Sequence, residues 1–212
     1  MADTRTCAQC GALFTPRREH ARFCSARCRV AWNRAHVGDP QTGANALEWS
    51  ITAMRDATQR LAGDQVLDHA QGFAVISEAV WWVTIVDAAL VRYHHQAYES
   101  AIESQAPARR GAIEGTFAGL RFARNQMGYR LDPADFIQPG EGHLGPGHDC
   151  VTSWRWRSLP QPDLGSLPHR GRAWEATRYR AYQAQLAGHT IGETFGRATA
   201  FLNLAFANLA AA

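Results

Sequence analysis

Four of the five cysteines fall within the first 28 residues, as Cys7-Ala-Gln-Cys10, thirteen residues, then Cys24-Ser-Ala-Arg-Cys28. The first pair has the spacing of a tight knuckle, which brings both thiolates to one side. Gly11 follows directly and permits the turn a knuckle needs. The second pair is spaced i, i+4, so both sulfurs lie on one face of a helical turn. Two sulfurs from a turn and two from a helix start complete a tetrahedral all-sulfur set, which selects zinc. A segment this short cannot fold on burial alone, so the expectation is a structural zinc ion that supplies the folding free energy. Four thiolates leave the metal no open position, so this centre is expected to bind and not to catalyse.

All 22 basic residues are arginine. Residues 1–36 carry seven of them against Asp3 and Glu19, a charge of +5, which leaves −2 for the remainder. Arg17, Arg18, Arg22, Arg27, Arg29 and Arg34 surround the cysteines, and Trp32 offers a ring for stacking. This combination suits contact with nucleic acid, RNA or DNA, through phosphates and bases. A protein partner is the close alternative. The run Phe23-Cys24-Ser25 followed by Cys28-Arg29 also resembles the FCS-type zinc fingers and similar treble-clef modules. The resemblance spans residues 7–34 and implies a zinc-stabilised adaptor for nucleic acid or protein.

A second group of residues could carry chemistry. Arg124-Asn125 closes an amphipathic stretch, and this resembles the HEPN superfamily of helical bundles, many of them metal-independent ribonucleases that act as dimers. The resemblance implies a catalytic Arg124 followed by the polar Asn125. It also implies a histidine at 129–131, where this chain has Tyr129, Arg130 and Leu131. The proton-transferring imidazole is missing from the motif. Tyr129 or His95 would have to replace it. The simpler alternative is that Arg124 and Asn125 end a helix and pair with carboxylates such as Asp132 or Asp135. His143, His148, Asp149 and Cys150 offer a further set of metal-ligating types, at no standard spacing. Trp154-Arg155-Trp156-Arg157 interleaves rings and charges, which could stack bases and bind phosphates; the favoured reading is a strand laid over a core, with indole inward and guanidinium outward.

The elements that must position these residues are mainly helical. The periodicity predicts helices over 44–62, 64–103, 107–128, 171–187 and from Thr190 to about 208. Residues 37–43 read as a Gly/Pro linker, and 132–168 as a long irregular segment. The centre of the second helix, Phe73 to Leu90, is apolar nearly all round. It therefore reads as the buried central helix, anchored by Trp81, Trp82, Ile85 and Val86. The expected architecture is mainly α: a four-cysteine zinc finger over 1–36, then a four- to five-helix bundle over 44–212.

Paired cysteines without a secretory leader point to the cytoplasm. No uninterrupted apolar run reaches the roughly 20 residues of a membrane span. The leading expectation is a non-enzymatic zinc protein whose basic finger contacts nucleic acid or a protein partner and whose bundle mediates assembly, with a homodimer as one form. The alternative is a divergent HEPN-like ribonuclease working as a dimer.

Overall fold

The computed structural model describes residues 4–16, 21–36, 40–62, 69–128, 135–140, 154–165 and 169–210. The chain forms two compact units, Met1–Ala46 and Leu47–Ala212, and each is described by itself.

In the first unit, strands β1 (Arg5–Thr6) and β2 (Leu13–Phe14) pair antiparallel, with Arg5 opposite Phe14 and Thr6 opposite Leu13. Helix α1 (Ala26–His36) follows. Helix α2 (Pro40–Ala62) begins inside the stretch expected to be a linker. Pro40 takes the first helical position, where its missing N–H costs nothing. Residues 40–43 are therefore helical, and the division between the units falls within α2.

Among the described residues, the second unit is helical with one small sheet. Its helices are the remainder of α2, α3 (His69–Tyr93), α4 (His95–Glu103), α5 (Pro107–Met127), α6 (His169–Gln185) and α7 (Ile191–Ala210). The single helix expected over 64–103 is broken at His94, whose φ of −133° and ψ of 43° lie outside the helical region. The chain turns there, so that α4 can pack on α7. The core takes Ile51 and Met54 from α2, Ile76, Val80 and Leu90 from α3, Phe117 and Leu120 from α5, and Phe195 and Leu202 from α7.

Helices α5 and α6 approach closely at Gly119. A Cβ there would lie 2.7 Å from Leu186 Cδ1 and 3.1 Å from the Tyr182 Cα. Only a hydrogen at this position lets the two backbones sit at that distance.

The irregular segment contributes β3 (Ile137–Pro139), antiparallel to β4 (Trp154–Trp156). Trp154 and Trp156 are buried, and the Trp156 indole donates to Thr194 Oγ1 at 3.1 Å. Arg155 turns away and donates to the Gly188 carbonyl at 2.9 Å. The indole-inward reading of this run matches the observed packing.

Helix α3 departs from its expected role. Its length and composition suffice for a membrane span, yet less than half of that window is buried within the fold. One face, with Val80, Val83, Val86 and Leu90, packs into the core against α5 and α7. The opposite face is covered only in part: Trp81 is 54% exposed, and Trp82 and Ile85 are partly buried. Of the four anchors named from the sequence, Val86 alone is fully buried. Among the described residues, the opposite face meets α2 only at its edge, through Trp49 beside Trp82 and Arg60 beside Glu78.

Candidate metal centre

The knuckle forms on the β1–β2 hairpin. The Cys7 N–H donates to the Ala12 carbonyl at 2.9 Å, and the Gly11 N–H to the Cys7 carbonyl at 3.0 Å. Gly11 sits at φ 70°, in the left-handed region where a Cβ is penalised. The second cysteine pair is set by the start of α1. Ser25 is its N-cap: the Cys28 N–H donates to Ser25 Oγ at 3.2 Å, and the Arg29 N–H to the Ser25 carbonyl at 3.1 Å. Cys24 thus lies just before the helix and Cys28 in its first turn.

These two local structures bring the ligands together. The sulfurs of Cys7, Cys10, Cys24 and Cys28 all lie within 4.8 Å of one another. Cys10 and Cys24 are 3.7 Å apart, and Cys24 and Cys28 are 3.5 Å apart. A disulfide needs about 2.05 Å, so none of these is bonded to another. Tetrahedral metal–thiolate bonds of about 2.3 Å place sulfurs about 3.8 Å apart. The observed spacing fits that geometry, so the four cysteines can hold a metal ion.

The protons on these thiols are unevenly held. Backbone N–H groups, that of Cys24 first, pull the Cys7 thiol down to about 6. The surrounding thiols, led by Cys28 and Cys10, push Cys24 up to about 12. Four sulfurs this close cannot all ionise without a cation among them. A divalent ion would release the remaining protons and take their place.

An aromatic pair stands beside the centre. Phe23 and Trp32 lie 5.6 Å apart, and the exposed Arg22 guanidinium sits 4.9 Å from the Trp32 ring centre and 5.8 Å from that of Phe23. The Trp32 ring is thus engaged by Arg22 and does not stand open as a bare stacking face. Arg27 and Arg29 are exposed. Arg17, Arg18 and the Arg34 side chain lie outside what is described.

The Arg124-Asn125 pair sits in the second unit, near the end of α5. Arg124 is half-buried and donates to Thr84 Oγ1 at 3.3 Å. Burial and the like charges of Arg178 and Arg121 hold its pKa below the usual value, against the pull of Asp87. The Asn125 amide donates to Glu175 Oε2 at 3.4 Å, and the Gln126 amide reaches the other oxygen at 3.5 Å. Arg178 pairs with the same carboxylate at 3.6 Å. A carboxylate thus receives Asn125, and it is Glu175; Arg124 meets a hydroxyl and feels Asp87 only through its charge. Asp135 is exposed, and Asp132 lies outside the described residues.

Asp87 is the centre of that network. It is fully buried, accepts from the Tyr98 hydroxyl at 3.0 Å and forms an ion pair with Arg121. Burial pushes its carboxyl above the usual range, although Arg121 and Tyr98 pull the other way. His95 is exposed and faces Glu99 at 3.8 Å on its own helix, so it supplies no imidazole to Arg124. Tyr129, His143, His148, Asp149 and Cys150 lie outside the described residues.

Sequence reasoning overlooked Ser25, Asp87 and Glu175. Ser25 carried a signal, a serine three residues before the first in-helix ligand. Asp87 did too, as a lone acid on the buried face of an apolar run. Glu175 had only its i, i+3 spacing to Arg178, because its amide partners Asn125 and Gln126 lie on another helix.

Compared with protein families, curated proteins and solved structures, the chain matches none.

Proposed function

We propose that this chain is a zinc-binding protein whose arginine-rich module contacts nucleic acid, while the helical unit mediates assembly. The observation that carries the reading is the convergence of four sulfurs within 4.8 Å. An all-thiolate tetrahedral set favours zinc, and it gives the metal a structural role. A knuckle on a hairpin, joined to a pair at a helix start, supports the resemblance to FCS-type and treble-clef modules. A cytoplasmic setting, where thiols stay reduced, suits such a centre.

The nucleic-acid part rests on Arg22, Arg27 and Arg29, which are exposed around that centre. Contact with the Trp32 ring holds the Arg22 guanidinium in place while it stays exposed to donate to phosphate. Binding is favoured over HEPN-like ribonuclease activity because Asn125 is engaged by Glu175 and His95 by Glu99.

The test is a titration of the full-length protein against labelled single- and double-stranded RNA and DNA over a salt series. The expected result is affinity that falls steeply with salt. Combined Arg22→Ala, Arg27→Ala and Arg29→Ala is expected to reduce the log–log slope by about 2 to 3. Absent or salt-independent binding overturns the nucleic-acid reading and leaves protein contact.

A further inference from the structure

The exposed face of α3 runs through Glu78, Trp81, Trp82, Ile85, Ala88, Ala89 and Arg92, all within one stripe of the helix. Glu78, Trp81, Ala88 and Arg92 are exposed, and the other three are half-buried. Trp49 on α2 stands edge-on to Trp82 at 5.2 Å and is itself 65% exposed, which widens the patch. Contiguous exposed apolar surface of this kind marks an interaction site.

We propose that this stripe joins two copies of the chain, antiparallel, about a two-fold axis at Ile85. The proposal deepens the assembly role stated above, and rests on it, by naming the partner and the surface.

The order of residues outward from Ile85 is self-complementary. Toward the helix start lie Trp82, Trp81 and then Glu78. Toward its end lie Ala88, Ala89 and then Arg92. An antiparallel second copy sets each residue opposite the one equally far on the other side of Ile85. Glu78 then meets Arg92 of the second copy, and the two-fold axis makes this contact twice. The bulky Trp81 and Trp82 meet the small Ala88 and Ala89 of the second copy, so the faces interlock. Ile85 meets itself on the axis. A parallel copy would instead set Trp on Trp and Glu on Glu. Self-complementarity of charge and size is what an isologous interface requires. It is not what a lipid surface or an unrelated apolar partner would select.

Glu78 is already steadied for this role. Arg60 holds its Oε2 at 2.5 Å, and both side chains remain nearly half exposed. The carboxylate is fixed at the rim of the patch, where Arg92 of the second copy would arrive.

Sedimentation equilibrium on the full-length protein tests the proposal, with far-UV circular dichroism as the check on folding. The wild type is expected to dimerise reversibly. Trp81→Glu is expected to raise the dissociation constant about tenfold or more, by placing a charge at the centre of the seam. If that variant loses helicity, Ala88→Glu, at an exposed position, serves in its place. Glu78→Arg and Arg92→Glu are each expected to weaken the dimer about threefold, and the double reversal to restore it. A wild type that stays monomeric overturns this inference and the assembly role together. A dimer indifferent to Trp81→Glu and Ala88→Glu overturns the surface but leaves assembly standing. Weakening by both reversals without rescue overturns the antiparallel register. A monomer that binds phosphatidylcholine vesicles through this face, lost in Trp81→Glu, overturns it in favour of lipid.

Discussion

The Cys24 backbone N–H points at the Cys7 sulfur from 3.4 Å. This contact ties the hairpin knuckle to the start of α1, and so joins the two halves of the candidate metal centre. Cys7 is also the most buried of the four cysteines. Replacing it removes a ligand and an acceptor in one step. Cys7→Ser is expected to lose the bound metal and the fold of the first unit, while the second unit persists. Trypsin provides the readout, since the module is rich in arginine. Cleavage after Arg27 and Arg29 should become fast in the variant, and equally fast in wild type stripped by a chelator. Equal resistance of variant and wild type would count against the metal's structural role.

Asp87 poses a different kind of dependence. Its two oxygens serve Tyr98 and Arg121 in a fully buried position. Removing the carboxylate leaves the Arg121 guanidinium, itself largely buried, without its counter-charge. Asp87→Ala is expected to cost about 3 kcal/mol, and Tyr98→Phe about 1 kcal/mol. Urea denaturation followed by circular dichroism reports both. Equal effects would mean that Arg121 finds another partner at no cost.

Gly119 tests the packing of α5 on α6. The Leu186 side chain can swing away from an added methyl, but the Tyr182 backbone at 3.1 Å cannot. Gly119→Ala gains helix propensity of about 1 kcal/mol and is nonetheless expected to destabilise, because the helices must separate. Gly111→Ala is the control, with nothing within 4 Å of the added group. It is expected to stabilise. The same sign for both would remove the close-approach argument.

The start of α7 carries a reciprocal cap with a defined pH response. The Glu193 N–H donates to Thr190 Oγ1 at 3.1 Å, and the Thr190 N–H to Glu193 Oε2 at 3.2 Å. These bonds to Thr190 hold the Glu193 pKa below its usual value. A depressed carboxylate adds stability above its unfolded pKa and loses it as pH falls through the folded one. Glu193→Gln is therefore expected to be less stable than wild type above about pH 5, with the gap closing as pH falls below about 4. A gap independent of pH would show that charge plays no part in the cap.

Much of the fold and of the metal centre is legible in the sequence because it is local. The knuckle, the i, i+4 pair, Pro107 at a helix start and Thr190 with Glu193 each fix their own few residues. The indole-inward strand at Trp154–Trp156 is readable from alternation alone. What is not legible depends on which neighbours an element receives. Apolar residues around all of α3 cannot say which side will be covered, and Trp81 lies on the side left exposed. The break at His94 has no Gly or Pro to announce it. Asn125 reads from the sequence as a residue for a carboxylate and has one, but its partner Glu175 sits fifty positions away on α6.

We propose that the metal held by the four cysteines is one structural zinc ion. Elemental analysis of the full-length protein, purified without added metal, measures it most directly. We expect about one zinc per chain. We also expect loss of that zinc in Cys7→Ser, Cys10→Ser, Cys24→Ser and Cys28→Ser, each taken singly. Retention of stoichiometric zinc by any two of these variants, or a wild type that folds fully with no metal, would contradict it.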